Sequence, residues 1–138
     1  MSQREAVLFA NEAFYCAFAN RDLDAMDDAW AHDAPVSCIH PGWHPLTCRE
    51  DVIDTWKSIL TNPETPDIVC VNVDVHLHDA MAIVTCHEEM DGQYLSVTNV
   101  LVQEHGRWVM VHHQAGPVAT PPEEVEDNAG DATSGIMN

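Results

Sequence analysis

The hydrophobic pattern changes period once along the chain, and that change limits the folds open to it. Up to Leu60 the apolar residues recur every three or four positions, and from Val69 they recur every second position. The first spacing is that of a helix with one buried stripe, the second that of a strand with one buried face. Helices must therefore come first and a sheet afterwards. In "IVCVNVDVHLH" the apolar residues are Val69, Val71, Val73, Val75 and Leu77, with mostly polar residues between them, which predicts a strand buried on one side. "MAIVTCHEEM" predicts the next strand. Asp91-Gly92 is a strong two-residue hairpin signal leading into "QYLSVTNVLVQE", and "HG" makes another turn before "RWVMVHHQAG".

Ahead of the sheet, Val7, Phe14 and Phe18 form one stripe, with Leu8, Tyr15 and Ala19 beside it. The break comes at "ANRD". "DLDAMDDAWAHD" then restarts a helix with Asp22 as its N-cap and Leu23, Met26 and Trp30 inward. "APVSCIH" reads as a short strand and "PGW" as a turn. "REDVIDTWKSIL" is a third helix with Val52, Trp56 and Ile59 or Leu60 inward, and "TNPETPD" is a loop. Three helices followed by a four-stranded antiparallel meander, plus one early strand, is an α+β layout in which a twisted sheet wraps around the helices. The 138 residues make one domain, expected over 1–118. Residues 119–138 lose the periodicity and carry five acids and no bases, as a flexible tail would.

The formal charge of −18, against the five fixed cations Arg4, Arg21, Arg49, Lys57 and Arg107, argues against binding to nucleic acid or to anionic membranes. It disfavours anionic ligands and tolerates neutral or cationic ones. No apolar run reaches the ~20 residues of a membrane span, and "MSQREAVLFA" lacks the form of a signal peptide. The expected location is cytoplasmic. Five cysteines without a C-x-x-C pair fit reduced thiols, most of them packed as small hydrophobes. Asp74, His76 and His78 share one strand face, with His87 on the next strand. The opposite face is the apolar one, so they are expected at the surface rather than around a metal. No cofactor is expected.

Several stretches carry a family resemblance: "FYCAFANRDLDAMDDAWAHDAPVSCIHPGW", "CREDVIDTWKSIL" and "TNVLVQEHGRWVMVHHQAGP". In this order they resemble the nuclear transport factor 2-like superfamily, which includes ketosteroid isomerase, scytalone dehydratase and SnoaL-type polyketide cyclases. The combination is most similar to SnoaL-like domains and covers about residues 5 to 118. The resemblance implies a cone-shaped α+β fold, three N-terminal helices packed in a strongly curved, mainly antiparallel sheet around an apolar cavity. Laid on ketosteroid isomerase, the oxyanion tyrosine falls on Phe14, the catalytic carboxylate on Cys38, the protonated acid near Thr98 and the aromatic wall on Trp56. The cavity position is kept and the isomerase machinery is absent, so steroid isomerisation is not expected.

Candidate site residues follow. Cys38 and His40 share a face of the short strand, but Cα atoms ~7 Å apart argue against a Cys–His nucleophile. His40 is either a polar group of the pocket or a partner of the "PGW" turn, while His44 faces solvent. His112 and His113 lie on opposite faces. Registering the hairpin across "EHGR" pairs Thr98 with His113 and Asn99 with His112, and the resemblance turns the Thr98–His113 face inward. Phe14, Trp56 and Val111 would wall the cavity, Trp43 would stand at its rim, and Cys38, His40, Thr98 and His113 would supply polar points. His112 and Asn99 take that place if the register is reversed. No carboxylate falls at these positions, so histidine, His40 or His113, is expected to carry any proton. The expected function is small-molecule binding, with acid/base catalysis of isomerase, cyclase or dehydratase type on a neutral apolar substrate, in a homodimer. A non-catalytic ligand-binding or association module is the alternative.

Overall fold

The helical half of the chain forms where its caps are. The structure, a computed structural model, describes residues 1–122. Ser2 and Glu5 make a reciprocal capping box at the start of α1 (Gln3–Ala19). Asp22 accepts from the Ala25 N–H at 3.1 Å and starts α2 (Leu23–Ala29). Positions 7, 11, 14, 15 and 18 of α1 are buried, a single face at helical spacing. β1 (Ser37–Ile39) and α3 (Arg49–Thr61) follow, α3 burying Val52, Trp56 and Leu60.

The remainder is the expected meander: β2 (Val69–His78), β3 (Met81–Met90), β4 (Gln93–Glu104) and β5 (Arg107–Pro117). Strand order is β1-β5-β4-β3-β2, with β1 parallel to β5 and all other pairs antiparallel. Asp91 and Gly92 both have positive φ, 51° and 81°, as a type I′ hairpin requires. The helices pack on one face of this five-stranded mixed sheet and the core lies between, giving the α+β cone fold. Among the described residues no helix is long and apolar enough to cross a membrane. The expected tail, from residue 123 onward, lies outside the described residues.

Two bulges change the sequence-based picture. On β2 only Val75 is buried, while Val69, Val73 and Leu77 are exposed. β2 is an edge strand, and its register shifts between Val71 and Asp74, with Asn72 at φ 57°, so one apolar face is not maintained. On β5 the pairs Gln103↔Trp108 and Leu101↔Met110 give way to Val100↔His112, leaving Val111 as the extra residue. The expected pairing of Thr98 with His113 is therefore corrected to Asn99 with His113, and Thr98 pairs with Gln114. A one-residue step exchanges the two faces of a strand.

Two clamps hold the crossing between α2 and β1. Glu104 accepts from the N–H groups of His32, Asp33 and Ala34 at 2.8–2.9 Å, which holds its carboxyl down at about 2. Arg49, opening α3, donates to the carbonyls of Ala31 and Asp27, each at 2.7 Å, and to Asp27 Oδ1 at 2.6 Å. β1 and α3 are thereby set against the helical face of the sheet.

Candidate functional site

A cavity of about 230 Å³ opens between α1, α3 and the inner face of the sheet. Helical spacing sends Phe14 and Phe18 to it from α1, and Trp56 meets both edge-on from α3, at 5.4 and 6.2 Å between ring centroids. Alternation supplies the facing wall: Glu88 and Met90 from β3, Leu95 from β4, His113 and Ala115 from β5. The walls are mainly apolar with a few convergent polar groups, the usual make-up of a small-molecule site.

Those polar groups form one connected set. Tyr15 donates from its hydroxyl to Glu88 Oε2 at 2.7 Å. Asn99 donates from Nδ2 to Asn11 Oδ1 at 2.9 Å and to the Tyr15 oxygen at 3.4 Å. Its nitrogen so committed, Asn99 offers Oδ1 to His113 Nδ1, 2.6 Å away. That sets the tautomer: Nδ1 carries the proton and Nε2 keeps a lone pair. His113 Nε2 lies 3.9 Å from Glu88 Oε2, both side chains almost wholly buried.

Burial governs the charges here. It pushes His113 down to about 3, with His40 and His112 adding to the effect. It raises the Glu88 carboxyl, against the opposing pull of the Tyr15 hydrogen bond. Tyr15 is raised by burial and by the neighbouring Glu88. The His113–Glu88 contact is thus no ordinary ion pair, because the apolar surroundings disfavour both charges. Burial pushes Glu88 up and His113 down, each toward its neutral form.

His40 reaches the cavity from just beyond β1. Thr55 spends its hydroxyl proton on the Val52 carbonyl at 2.8 Å, so it accepts from His40 Nε2 at 3.0 Å. The "PGW" turn is closed by its own backbone, Trp43 N–H to His40 O at 2.9 Å. The His40 ring therefore spans to α3, and burial lowers its pKa.

The structure brings Phe14, His40, Trp56 and His113 to the cavity wall. Cys38 is buried behind His40, its sulfur 3.7 Å from Nε2, and burial pushes its thiol up to about 12, which leaves it inert. Trp43 is 55% exposed and covers His40 from outside, 5.3 Å between ring centroids. Thr98, Val111 and His112 are corrected: none of them lines this cavity. Thr98 is on the outer face with Thr85 and Gln114, Val111 is the bulge residue, and His112 faces Ser37 Oγ, 2.6 Å from its Nδ1. The expectation that no carboxylate enters the cavity is corrected by Glu88. Its signal was available, since Glu88 follows Ala82, Val84 and Cys86 on the same alternating face. The bulge brings Asn99 to the inner face together with His113 rather than with His112, and Asn11 and Tyr15 join it from the buried face of α1. Asp74 and His76 are exposed, 3.4 Å apart. Among the described residues no group of three or more His, Cys, Asp or Glu is arranged to hold a metal.

A family model described as a SnoaL-like domain matches residues 7–120. Among solved structures, a candidate dehydratase of the NTF2-like family from Streptomyces avermitilis is similar with a TM-score of 0.77 and 32% identity, over 84% of this chain and 96% of the other. A candidate calcium/calmodulin-dependent protein kinase type II association domain from Thiobacillus denitrificans has a TM-score of 0.72 at 33% identity, over 79% of this chain and 92% of the other. The F-box protein SKIP8 of Arabidopsis thaliana is 28% identical over 122 residues, 87% of this chain and 53% of that protein. The chain thus spans about half the length of the curated relative it matches.

Proposed function

Because the chain belongs to the SnoaL-like domain family of the nuclear transport factor 2-like superfamily, we propose that its cavity binds a small, mainly apolar molecule and moves a proton on it. The observation that carries this reading is the 3.9 Å approach of His113 Nε2 to Glu88 Oε2 inside apolar walls. Two acid/base groups within one substrate's reach are what proton transfer needs. Glu88 takes or gives the proton, Tyr15 steadies its carboxylate form, and Asn99 holds the His113 ring so that Nε2 faces the same space. The reaction class is isomerase, cyclase or dehydratase. The 32% identity to a candidate dehydratase supports the last of these.

The test is mass spectrometry of the natively purified protein, followed by incubation of any carried ligand with wild type and with Glu88→Gln. Turnover by wild type and binding without turnover by Glu88→Gln is the expected result. Binding without turnover by both makes this a ligand-binding module.

A second reading, association, is favoured by the names of two relatives, an F-box protein and a kinase association domain. It uses the other side of the sheet, where a groove of about 520 Å³ runs over Thr85, Thr98 and Gln114. We place a homodimer contact there, in a reducing, cytoplasmic setting that suits the five free cysteines.

A further inference from the structure

The polar side chains of the cavity wall spend their hydrogens within the protein. Tyr15 donates to Glu88 Oε2, and the Nδ1 hydrogen of His113 goes to Asn99 Oδ1. The Nε2 hydrogen of His40 goes to the Thr55 hydroxyl, and the Thr65 hydroxyl donates to the Ile59 carbonyl at 2.8 Å. The indole N–H of Trp56 is sealed within the wall, without a partner among the described residues. What the wall offers to a ligand is therefore lone pairs. One is on His113 Nε2, and others are on the Glu88 carboxylate, whose Oε1 receives no hydrogen bond among the described residues. Among the described residues no Lys or Arg lines the cavity.

We propose that the ligand of this cavity is a small primary amine, bound as its ammonium ion with the nitrogen donating to both Glu88 and His113 Nε2. This ligand class rests on the small-molecule reading given above and deepens it. The head group follows from geometry. Glu88 Oε2 and His113 Nε2 are 3.9 Å apart, a gap that one nitrogen spans at ordinary hydrogen-bond lengths of ~2.7–3.2 Å. An ammonium has a hydrogen for each acceptor and a third for Oε1. A hydroxyl has one hydrogen for both acceptors, and a carbonyl or carboxylate has none, so either would leave a buried lone pair unmatched.

Charge points the same way. Burial favours the neutral forms of His113 and His40 and works against the Glu88 carboxylate. An ammonium supplies the counter-charge that the wall lacks, and the buried pair is then neutral as a whole. The aromatic rings of Phe14, Phe18 and Trp56 line the same space, and ring faces attract cations. The formal charge of −18 draws cations toward the protein and repels anions. Size limits the rest of the molecule. At about 230 Å³ the cavity is smaller than the ~300–1,000 Å³ of most ligand sites, so the apolar part is a single ring or a short chain.

The test titrates the full chain near neutral pH with benzylamine, benzyl alcohol and benzoate, which share one ring and differ in head group. Side-chain NMR signals of Trp56, His113 and Ala115, all on the cavity wall, report binding. Benzylamine should move them saturably and bind about tenfold or more tighter than benzyl alcohol, the low end for a hydrogen bond to a charged group. Benzoate should leave them unmoved. Glu88→Gln should bring benzylamine down to the affinity of benzyl alcohol, with benzyl alcohol little changed. The wild-type comparison decides the matter even where that variant does not fold. Benzyl alcohol binding as tightly as benzylamine to wild type overturns the ammonium proposal and leaves the small-molecule reading standing. Benzylamine that moves only surface signals overturns it too, as does a preference for the amine that survives in folded Glu88→Gln. If none of the three compounds reaches the cavity signals, the small-molecule reading falls with the proposal.

Discussion

The Tyr15 hydroxyl and the Glu88 carboxylate, 73 residues apart in sequence, meet at 2.7 Å in the buried interior. One end of this contact comes from the face of α1 that carries Phe14 and Phe18, the other from the inner row of β3. It is the joint between the helices and the polar end of the cavity.

Replacing Tyr15 by Phe removes that bond while keeping the ring. Leaving a buried hydrogen-bonding oxygen unpaired costs about 1–3 kcal/mol, so urea unfolding should show a loss on that order. The Glu88 carboxyl should also titrate higher in the variant, because the hydrogen bond opposes its upward displacement. Carboxyl-detected NMR titration measures this, and a Glu88 midpoint that stays or falls would contradict the contact.

His113 makes stability depend on pH. Its folded value is depressed to about 3, so its contribution is complete above the unfolded value of about 6.5 and is lost as pH falls toward about 3. Glu88, displaced upward, has the opposite sign: its contribution is complete below the unfolded carboxylate value of about 4.3 and is lost as pH rises through its folded value. Glu88→Gln therefore removes the opposing contribution and leaves the histidines His113, His40 and His112, all lowered by burial. In that background unfolding free energy should fall between pH 6.5 and 4.5, by at most about 1.4 kcal/mol per pH unit from His113 alone. Adding His113→Gln should flatten that slope, leaving the part due to His40 and His112; an unchanged slope would remove His113 from the effect.

His113→Ala should impair ligand turnover far more than His76→Ala. His113 lines the cavity opposite Trp56, whereas His76 is on the exposed edge strand. Equal loss in the two variants would remove His113 from the chemistry.

Trp43→Ala should cost less than ~1 kcal/mol of stability, as expected for a side chain more than half exposed. It should nonetheless hydrate His40, whose pKa is lowered by burial, and move its NMR titration back toward the ordinary value. An unmoved His40 would mean that Trp43 does not shield the ring.

Sedimentation at micromolar concentration should show a dimer. Ile83 and Val100 are paired, partly covered positions on the outer side of β3 and β4, amid polar Thr85, Thr98 and Gln114. Val100→Glu should shift the population to monomer with the fold intact. A wild type that sediments as monomer would remove the association reading's simplest form.

Much was legible in the residues alone because it is written locally. Period, N-caps and the Asp91-Gly92 turn act over a few neighbours, so element order, the α+β class and the burial of Phe14 and Trp56 follow from residue order, while their place at a cavity follows from the family resemblance. Bulges are decided differently. Val111 is extra only relative to β4, and nothing in "RWVMVHHQAG" marks it, because a bulge is a property of two strands paired together. That single step put Asn99 rather than Thr98 beside His113 on the inner face. Likewise Glu88 could be placed on the buried face of β3 by alternation, but not beside His113. β4 lies between their strands, and only the curvature of the sheet brings the two side chains across it to 3.9 Å. Local periodicity was enough to place the buried faces of the helices and of β3, but not of the edge strand β2, where a bulge leaves only Val75 covered. The tertiary structure alone decided which polar groups meet there, since that depends on register and curvature across strands far apart in the chain.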